Sequence, residues 1–282
     1  MTVLEAIILG IVQGFTEFLP ISSTGHLTLS GKLMGLISEE SPEKWTAFIA
    51  IIQLGTMVSI LVYFWRDILN IVKDFLIQNL FNRRKYSEQT LNSRLGWLII
   101  AGTIPIVVIG LGFKDIIEGA LTKNLYVIST SLIVLAIILA VAEKTAKFKY
   151  ELKDVNLTRA LIVGFAQAVA LIPGSSRSGT TITAGLFVGF NRETAARFSF
   201  LLSIPAILAS GLLQLKEALP YLNADSSLTL VIATVVSALS GWLAIDFLLK
   251  FLRKYSTFIF IYYRILLGII ILSLLYSGYI QP

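Results

Sequence analysis

Three ionisable residues, Glu17, His26 and Arg177, stand in settings that suggest chemistry more than packing. Arg177 lies in the run Pro173-Gly-Ser-Ser-Arg-Ser-Gly-Thr-Thr181. A guanidinium grips phosphate oxygens through two parallel N–H bonds. Glycines such as Gly174 let backbone N–H groups approach an anion, and hydroxyls of Ser175, Ser176, Ser178, Thr180 and Thr181 add neutral donors. A helix starting near Gly179 would aim its positive end at the same anion.

Glu17 and His26 bracket a second polar run, Glu17-Phe-Leu-Pro-Ile-Ser-Ser-Thr-Gly-His26. A multiply charged phosphate beside Glu17 would be repelled unless a cation sat between them. Mg²⁺ commonly bridges one or two carboxylates and substrate phosphates, which suits Glu17 with Gln13 one helical turn away; Ca²⁺ is the other divalent ion considered. His26 is the chain's single histidine. Burying it beside a carboxylate and three hydroxyls has no packing rationale. It can serve as general acid, base or nucleophile, with Ser23 as the competing nucleophile, and the residues leave that choice open.

Elements that position these groups must work in lipid. Of the 282 residues, 56% are hydrophobic and 14% charged, and the mean hydropathy is +0.81. Soluble domains carry about 25% charged residues, so this chain cannot cover its apolar surface with charge. The net charge of +6 is the excess that cytoplasmic loops of membrane proteins collect and does not call for nucleic acid. Without cysteine there is no disulfide, thiolate metal site or Cys nucleophile. The apolar N-terminus carries Glu5 and Glu17 and reads as mature structure, not a signal peptide.

Six stretches are long enough to span: Trp45–Phe64, Leu95–Phe113, Leu125–Ala142, Thr194–Leu215 (kinked at Pro205), Leu228–Leu249 and Phe258–Ile280. Two more, Val3–Leu36 and Leu157–Phe190, are interrupted by the polar runs. Their arms are too short to cross, which predicts a helical hairpin dipping into the membrane in each. Irregular backbone is tolerated at that depth only where protein buries it or it lines a wet cavity. The plainer alternative is two ordinary spans kinked by Pro and Gly, but loops this dense in hydroxyls and ionisable groups argue against it.

Basic residues mark three loops: Arg66 to Arg94, Lys144 to Arg159, and Lys250 to Lys254. Ser38–Lys44 is acidic, while Lys114–Lys123 and Lys216–Asp225 are nearly neutral. Positive-inside bias puts the basic loops in the cytoplasm. The hairpins then enter from opposite faces, and both termini lie outside. Gly10-x-x-Gln13 recurs as Gly164-x-x-Gln167, each followed by a Pro and a Ser pair. The expected fold is therefore an all-α integral membrane protein, one transmembrane domain over 1–282. It comprises six spans and two re-entrant hairpins (3–36 and 157–190) in an inverted-topology repeat of 1–142 and 157–282.

Other polar features have plainer readings. Arg66, Arg83, Arg84, Lys85 and Arg94 should face anionic headgroups. Arg264, two turns into the last span, should snorkel to the cytoplasmic surface. Arg197 supports the second loop or anchors its helix. Trp45, Trp65 and Trp97 sit near span ends as interface aromatics, and Leu69–Leu80 is an expected amphipathic surface helix.

Together, the runs from Gln13 to His26 and from Pro173 to Thr181 resemble the two signatures of the bacterial undecaprenyl-diphosphate phosphatases of the bacitracin-resistance type. The likeness extends over essentially the whole chain, including Ala196-Arg-Phe-Ser-Phe-Leu-Leu202. It implies hydrolysis of undecaprenyl diphosphate to the monophosphate and inorganic phosphate, recycling the lipid carrier of cell-wall synthesis. It also implies a bacterial inner-membrane enzyme with its site open to the outer face. Glu17 then matches the essential glutamate, Ser23 and His26 the catalytic Ser and His, and Arg177 the phosphate-binding Arg, with Ser176 and Thr181 beside it. Many members carry Glu where this chain has Gln13, so metal affinity here should differ.

The expected partners are the lipid substrate and membrane lipids, with a homodimer left open. Two other functions compete. Opposed hairpins are transporter architecture, which would suit a flippase for a polyprenyl phosphate. The other membrane lipid-phosphatase superfamily needs a second histidine after its Ser-Arg element, which this chain lacks. Tail length should be discriminated weakly, since added methylenes are worth about 1–3 kcal/mol at most.

Overall fold

The computed structural model describes residues 1–37, 42–113, 124–218, 220 and 227–281. The acidic and neutral loops expected at Ser38–Lys44, Lys114–Lys123 and Lys216–Asp225 lie largely outside them. Among the described residues the chain forms eleven α-helices and no named strand. They are α1 (Val3–Phe18), α2 (Ser23–Leu33), α3 (Pro42–Tyr63), α4 (Trp65–Leu76), α5 (Leu91–Gly112) and α6 (Leu125–Thr145), then α7 (Leu157–Val169), α8 (Arg177–Phe187), α9 (Arg192–Ala218), α10 (Ser227–Leu252) and α11 (Phe258–Tyr276). Six of these (α3, α5, α6, α9, α10 and α11) are long and apolar enough to cross a membrane.

Most spans start or end beyond the apolar stretches that announce them, because caps end helices and hydropathy does not; the last is shorter, ending at Tyr276 and not Ile280. Thr90 accepts from the Ser93 N–H, so α5 starts four residues before Leu95. Asn191 likewise accepts from the Thr194 N–H at the head of α9. Outward faces such as Val58, Val62, Ile104, Val108, Ile137, Val141, Leu239 and Leu243 are exposed, the coverage lipid provides and water would penalise.

The four shorter helices around the polar runs contact one another in sequence order, α1 with α2 and α7 with α8. Each first arm packs on a distant span: α1 on α10, α7 on α5. The recurring Gly-x-x-Gln now has a physical reason. A methyl on Gly10 would stand 2.6 Å from the Ala233 carbonyl of α10, and one on Gly164 would overlap the Gly102 carbonyl of α5. Both glycines permit backbone-to-backbone crossing, the small-residue contact that drives helix association in lipid. Gly164→Ala should therefore lower stability by about 1–3 kcal/mol, seen as a lower unfolding midpoint in detergent; an unchanged midpoint would mean the crossing is looser than described.

The expected amphipathic element is α4 and a π-helical segment, Ile77–Phe81. Leu69, Val72, Leu76 and Leu80 are exposed along it, while Asp74 accepts from Thr90 and Asn92. Trp65 and Trp97 are exposed as interface aromatics should be, but Trp45 is buried, stacked on Phe48 and filling the space Gly31 leaves. Size and apolarity drew it into the core.

Candidate active site

Both polar runs fold by one local device. After Pro20, Ser22 takes φ 77° and caps α2, its hydroxyl accepting from the Gly25 N–H. After Pro173, Ser176 takes φ 68° and caps α8, accepting from the Gly179 N–H. Positive φ in a residue bearing Cβ costs about 1–3 kcal/mol, and such strain gathers at functional sites. The device puts Ser23 and Arg177 each at the first position of a short helix. The second helix thus begins at Arg177, two residues before the expected Gly179, because a serine and not a glycine caps it.

The two first positions converge on Glu17. Arg177 donates to Glu17 Oε1 as an ion pair across 160 residues of sequence. Ser23 donates to Glu17 Oε2 at 2.8 Å, and Gln13 Nε2 donates to the same oxygen at 3.2 Å. A carboxylate between two helix N-termini and a guanidinium marks a strongly anion-attracting place. Ser178 ties the loops together by donating to the Leu19 carbonyl at 3.0 Å.

Not every residue of the expected phosphate cradle faces open space. Ser176 is committed as a cap, and Ser178 lies 3.2 Å from it. Thr181 donates to the Arg177 carbonyl at 2.7 Å and meets Ser199. Gly174 has φ +83°, and a methyl there would strike Ser131 and the Ile128 carbonyl, so its lack of a side chain lets the loop lie against α6. Ser131 secures that seat by donating to the Pro173 carbonyl. Thr180 and Thr181 donate to the Arg177 carbonyl, Ser175 Oγ is buried without a hydrogen-bond partner, and Arg177 is the donor turned toward Glu17.

His26 stands on the next turn of α2. Its Nδ1 lies 2.7 Å from the Ser22 carbonyl and its Nε2 lies 2.6 Å from the Tyr263 hydroxyl of α11. The two ring planes are parallel to within 4°, their centroids 5.5 Å apart. No motif marks Tyr263, which precedes Arg264 in the otherwise apolar last span.

Arg264 corrects an expectation. It does not snorkel: it is 0% exposed, donates Nη2–H to the Ser175 carbonyl at 2.9 Å, and leaves Nε and Nη1 without partners. Its Nη1 fills the space beside Gly179, where a Cβ would stand 2.7 Å away. It therefore lies beneath the second loop, and no carboxylate pairs with it among the described residues. The signal was present, since an intramembrane Arg is functional by default; distance from either motif hid its partner. Arg197 pairs with Asp67 at 2.6 Å, joining α9 to α4.

A divalent cation fits part of this arrangement. No group of three or more His, Cys, Asp or Glu side chains gathers among the described residues. Gln13, however, is 1% exposed and its Oε1 has no hydrogen-bond partner. A buried amide oxygen one turn from a carboxylate is a suitable pair of hard ligands for an ion that takes its other ligands from phosphate.

Comparison with known proteins gives one consistent result. The chain is 58% identical over 268 residues to an undecaprenyl-diphosphatase of Syntrophobacter fumaroxidans, covering 95% of each chain. It is 50% identical to one of Chloroherpeton thalassium, covering 100% of this chain and 99% of that one. A Myxococcus xanthus relative of the same name is 46% identical, covering 100% and 92%. Residues 6–270 match the family described as Bacitracin resistance protein BacA. With six spans' worth of apolar helix, a Glu17–Arg177 pair and a match over nearly its whole length, the chain is a multi-pass membrane protein of the BacA family.

Proposed function

We propose that this chain hydrolyses undecaprenyl diphosphate to undecaprenyl phosphate and inorganic phosphate, at a site formed by the two polar loops. One observation carries the reading: Ser23 and Arg177, at the N-termini of helices from different loops, meet on a single carboxylate, Glu17. The names of the relatives supply the substrate class. A flippase would need no nucleophile–base pair, and nothing in the site favours it.

In this reading the terminal phosphate docks against Arg177 and the first turn of α8. Ser23 Oγ attacks its phosphorus and passes its proton to Glu17 Oε2, the acceptor already 2.8 Å away. The bond to the bridging oxygen breaks, and the lipid monophosphate leaves. Water then cleaves the phosphoserine, with His26 Nε2 as the general base. Attack by His26 itself is the second reading; the bond from Ser23 to Glu17 favours serine. Mg²⁺ or Ca²⁺ held by Glu17 and Gln13 would, when bound, neutralise the phosphates and polarise the phosphoryl group.

The topology is proposed with it. Each hairpin's first arm packs on a span of the other half, α1 on α10 and α7 on α5. That exchange supports an inverted repeat with hairpins entering from opposite faces of the cytoplasmic membrane. Charge bias supports outer termini, and the resemblance supports a site reached from the outer face.

Purified protein in detergent tests the function. Inorganic phosphate should be released from a long-chain prenyl diphosphate with Mg²⁺ or Ca²⁺ present, and chelation should slow the release. Absence of release under both ions would remove the enzyme reading and leave the flippase.

Arg264 adds a second expected result. A buried guanidinium with two unpaired nitrogens lowers stability, so Arg264→Met should leave the unfolding midpoint unchanged or raise it, by up to about 2 kcal/mol. Phosphate release should fall by roughly 10²-fold, because a cation beneath the loop strengthens its hold on anionic substrate. A large loss of stability with intact activity would make Arg264 a structural residue.

A further inference from the structure

The histidine at this site has its reactive nitrogen covered, and its tautomer follows from elementary hydrogen-bond chemistry. A backbone carbonyl only accepts, so His26 Nδ1, 2.7 Å from the Ser22 carbonyl, carries the proton. In the neutral ring Nε2 is then a bare lone pair. The Tyr263 hydroxyl, 2.6 Å away, is the donor that fills it.

We propose that Tyr263 is a positioning residue for the hydrolytic step: its hydroxyl caps the Nε2 lone pair of His26 and must give it up before that nitrogen can accept a proton. The inference deepens the function proposed above and rests on His26 taking part in it. Geometry separates the cap from mere packing. The two ring planes are parallel to within 4° with their centroids 5.5 Å apart, which lets the hydroxyl reach the Nε2 lone pair in the plane of the imidazole. The Ser22 carbonyl fixes ring rotation from the other side without the phenolic oxygen. The hydroxyl's distinct contribution is to occupy Nε2.

Tyr263 stands on α11, whose main neighbour is α6, whereas His26 is on α2. The cap therefore links the first polar loop to the last span, beside the buried Arg264 that supports the second loop. A substrate phosphate entering between the loops offers the phenol an alternative acceptor. Donation to a phosphate oxygen would free Nε2 at the moment substrate is in place.

Because His26 is the only histidine, nitrogen NMR of protein labelled with ¹⁵N-histidine reads it alone. At mildly alkaline pH in detergent, the wild type should show a protonated Nδ1 and an unprotonated Nε2 with the shift of a hydrogen-bonded acceptor. Tyr263→Phe keeps the ring and removes the donor. It should move the Nε2 resonance toward that of an unbonded nitrogen and leave Nδ1 in place. Acylation by diethyl pyrocarbonate, which attacks the bare nitrogen, should quicken about fivefold, the factor for one net hydrogen bond of about 1 kcal/mol.

Superimposable spectra and equal acylation rates would overturn the cap, as would a wild type protonated on Nε2. A His26→Ala protein that still turned over substrate would instead remove the catalytic reading beneath it. The NMR result does not depend on turnover, so the two failures are distinguishable.

Discussion

Arg177→Ala lowers kcat/KM for phosphate release by at least about 10³, and Arg177→Lys recovers little of it. The argument is geometric. Arg177 begins α8, so its guanidinium and the positive end of that helix act at one place. It also holds Glu17 Oε1, which orients the carboxylate proposed to receive the Ser23 proton. Alanine removes the phosphate clamp and the orientation together. Lysine keeps the charge but offers one point donor, and cannot serve Glu17 and a phosphate oxygen in the same plane. Steady-state assays of the purified variants check this. A loss confined to KM would mean that Arg177 binds the ground state and transition state alike.

Ser23→Ala should abolish turnover to within about 10⁻³ of wild type, with Glu17→Gln close behind. Ser23 makes its hydrogen bond to Glu17 Oε2 before any substrate arrives. Glutamine keeps the shape of Glu17 but accepts no proton, and it pairs poorly with Arg177. The double variant should be little worse than either single, because nucleophile and base act as one unit. Acid-quenched wild-type protein should carry phosphate on serine. Phosphate on histidine would transfer the attack to His26 and leave Ser23 as a partner of the carboxylate.

Much of this site is legible in the chain before any coordinates. Short range explains why. Glu17, Ser23 and His26 lie within ten residues, and Arg177 sits among glycines and hydroxyls in a short run. The six spans are equally plain, because lipid demands an unbroken apolar run and hydropathy measures that demand. Their ends are less so: Thr90 and Asn191 set two of them by capping, and a capping residue looks like any other polar loop residue.

What stayed hidden is long-range. Tyr263 and Arg264 lie 237 and 89 residues from the atoms they bond and carry no motif. Snorkelling is the cheaper fate for an Arg near a helix end, but burial beneath the second loop is what packing imposes here. The expected phosphate cradle also has bonds that its sequence does not name. Ser176, Ser178 and Thr181 look like anion donors in sequence, yet their hydroxyls close a helix cap, a loop–loop bond and a helix turn. Hydroxyl-rich sequence advertises hydrogen bonding without naming the partner.

In the proposed function the two loops make one phosphoryl-transfer site. The most direct measurement is an experimental structure of the protein with a non-hydrolysable diphosphate analogue and a divalent ion. The terminal phosphorus should lie in line with Ser23 Oγ, with Arg177 on its oxygens and Tyr263 turned away from His26. A phosphorus bound at Arg177 but out of reach of both Ser23 and His26 would contradict the account.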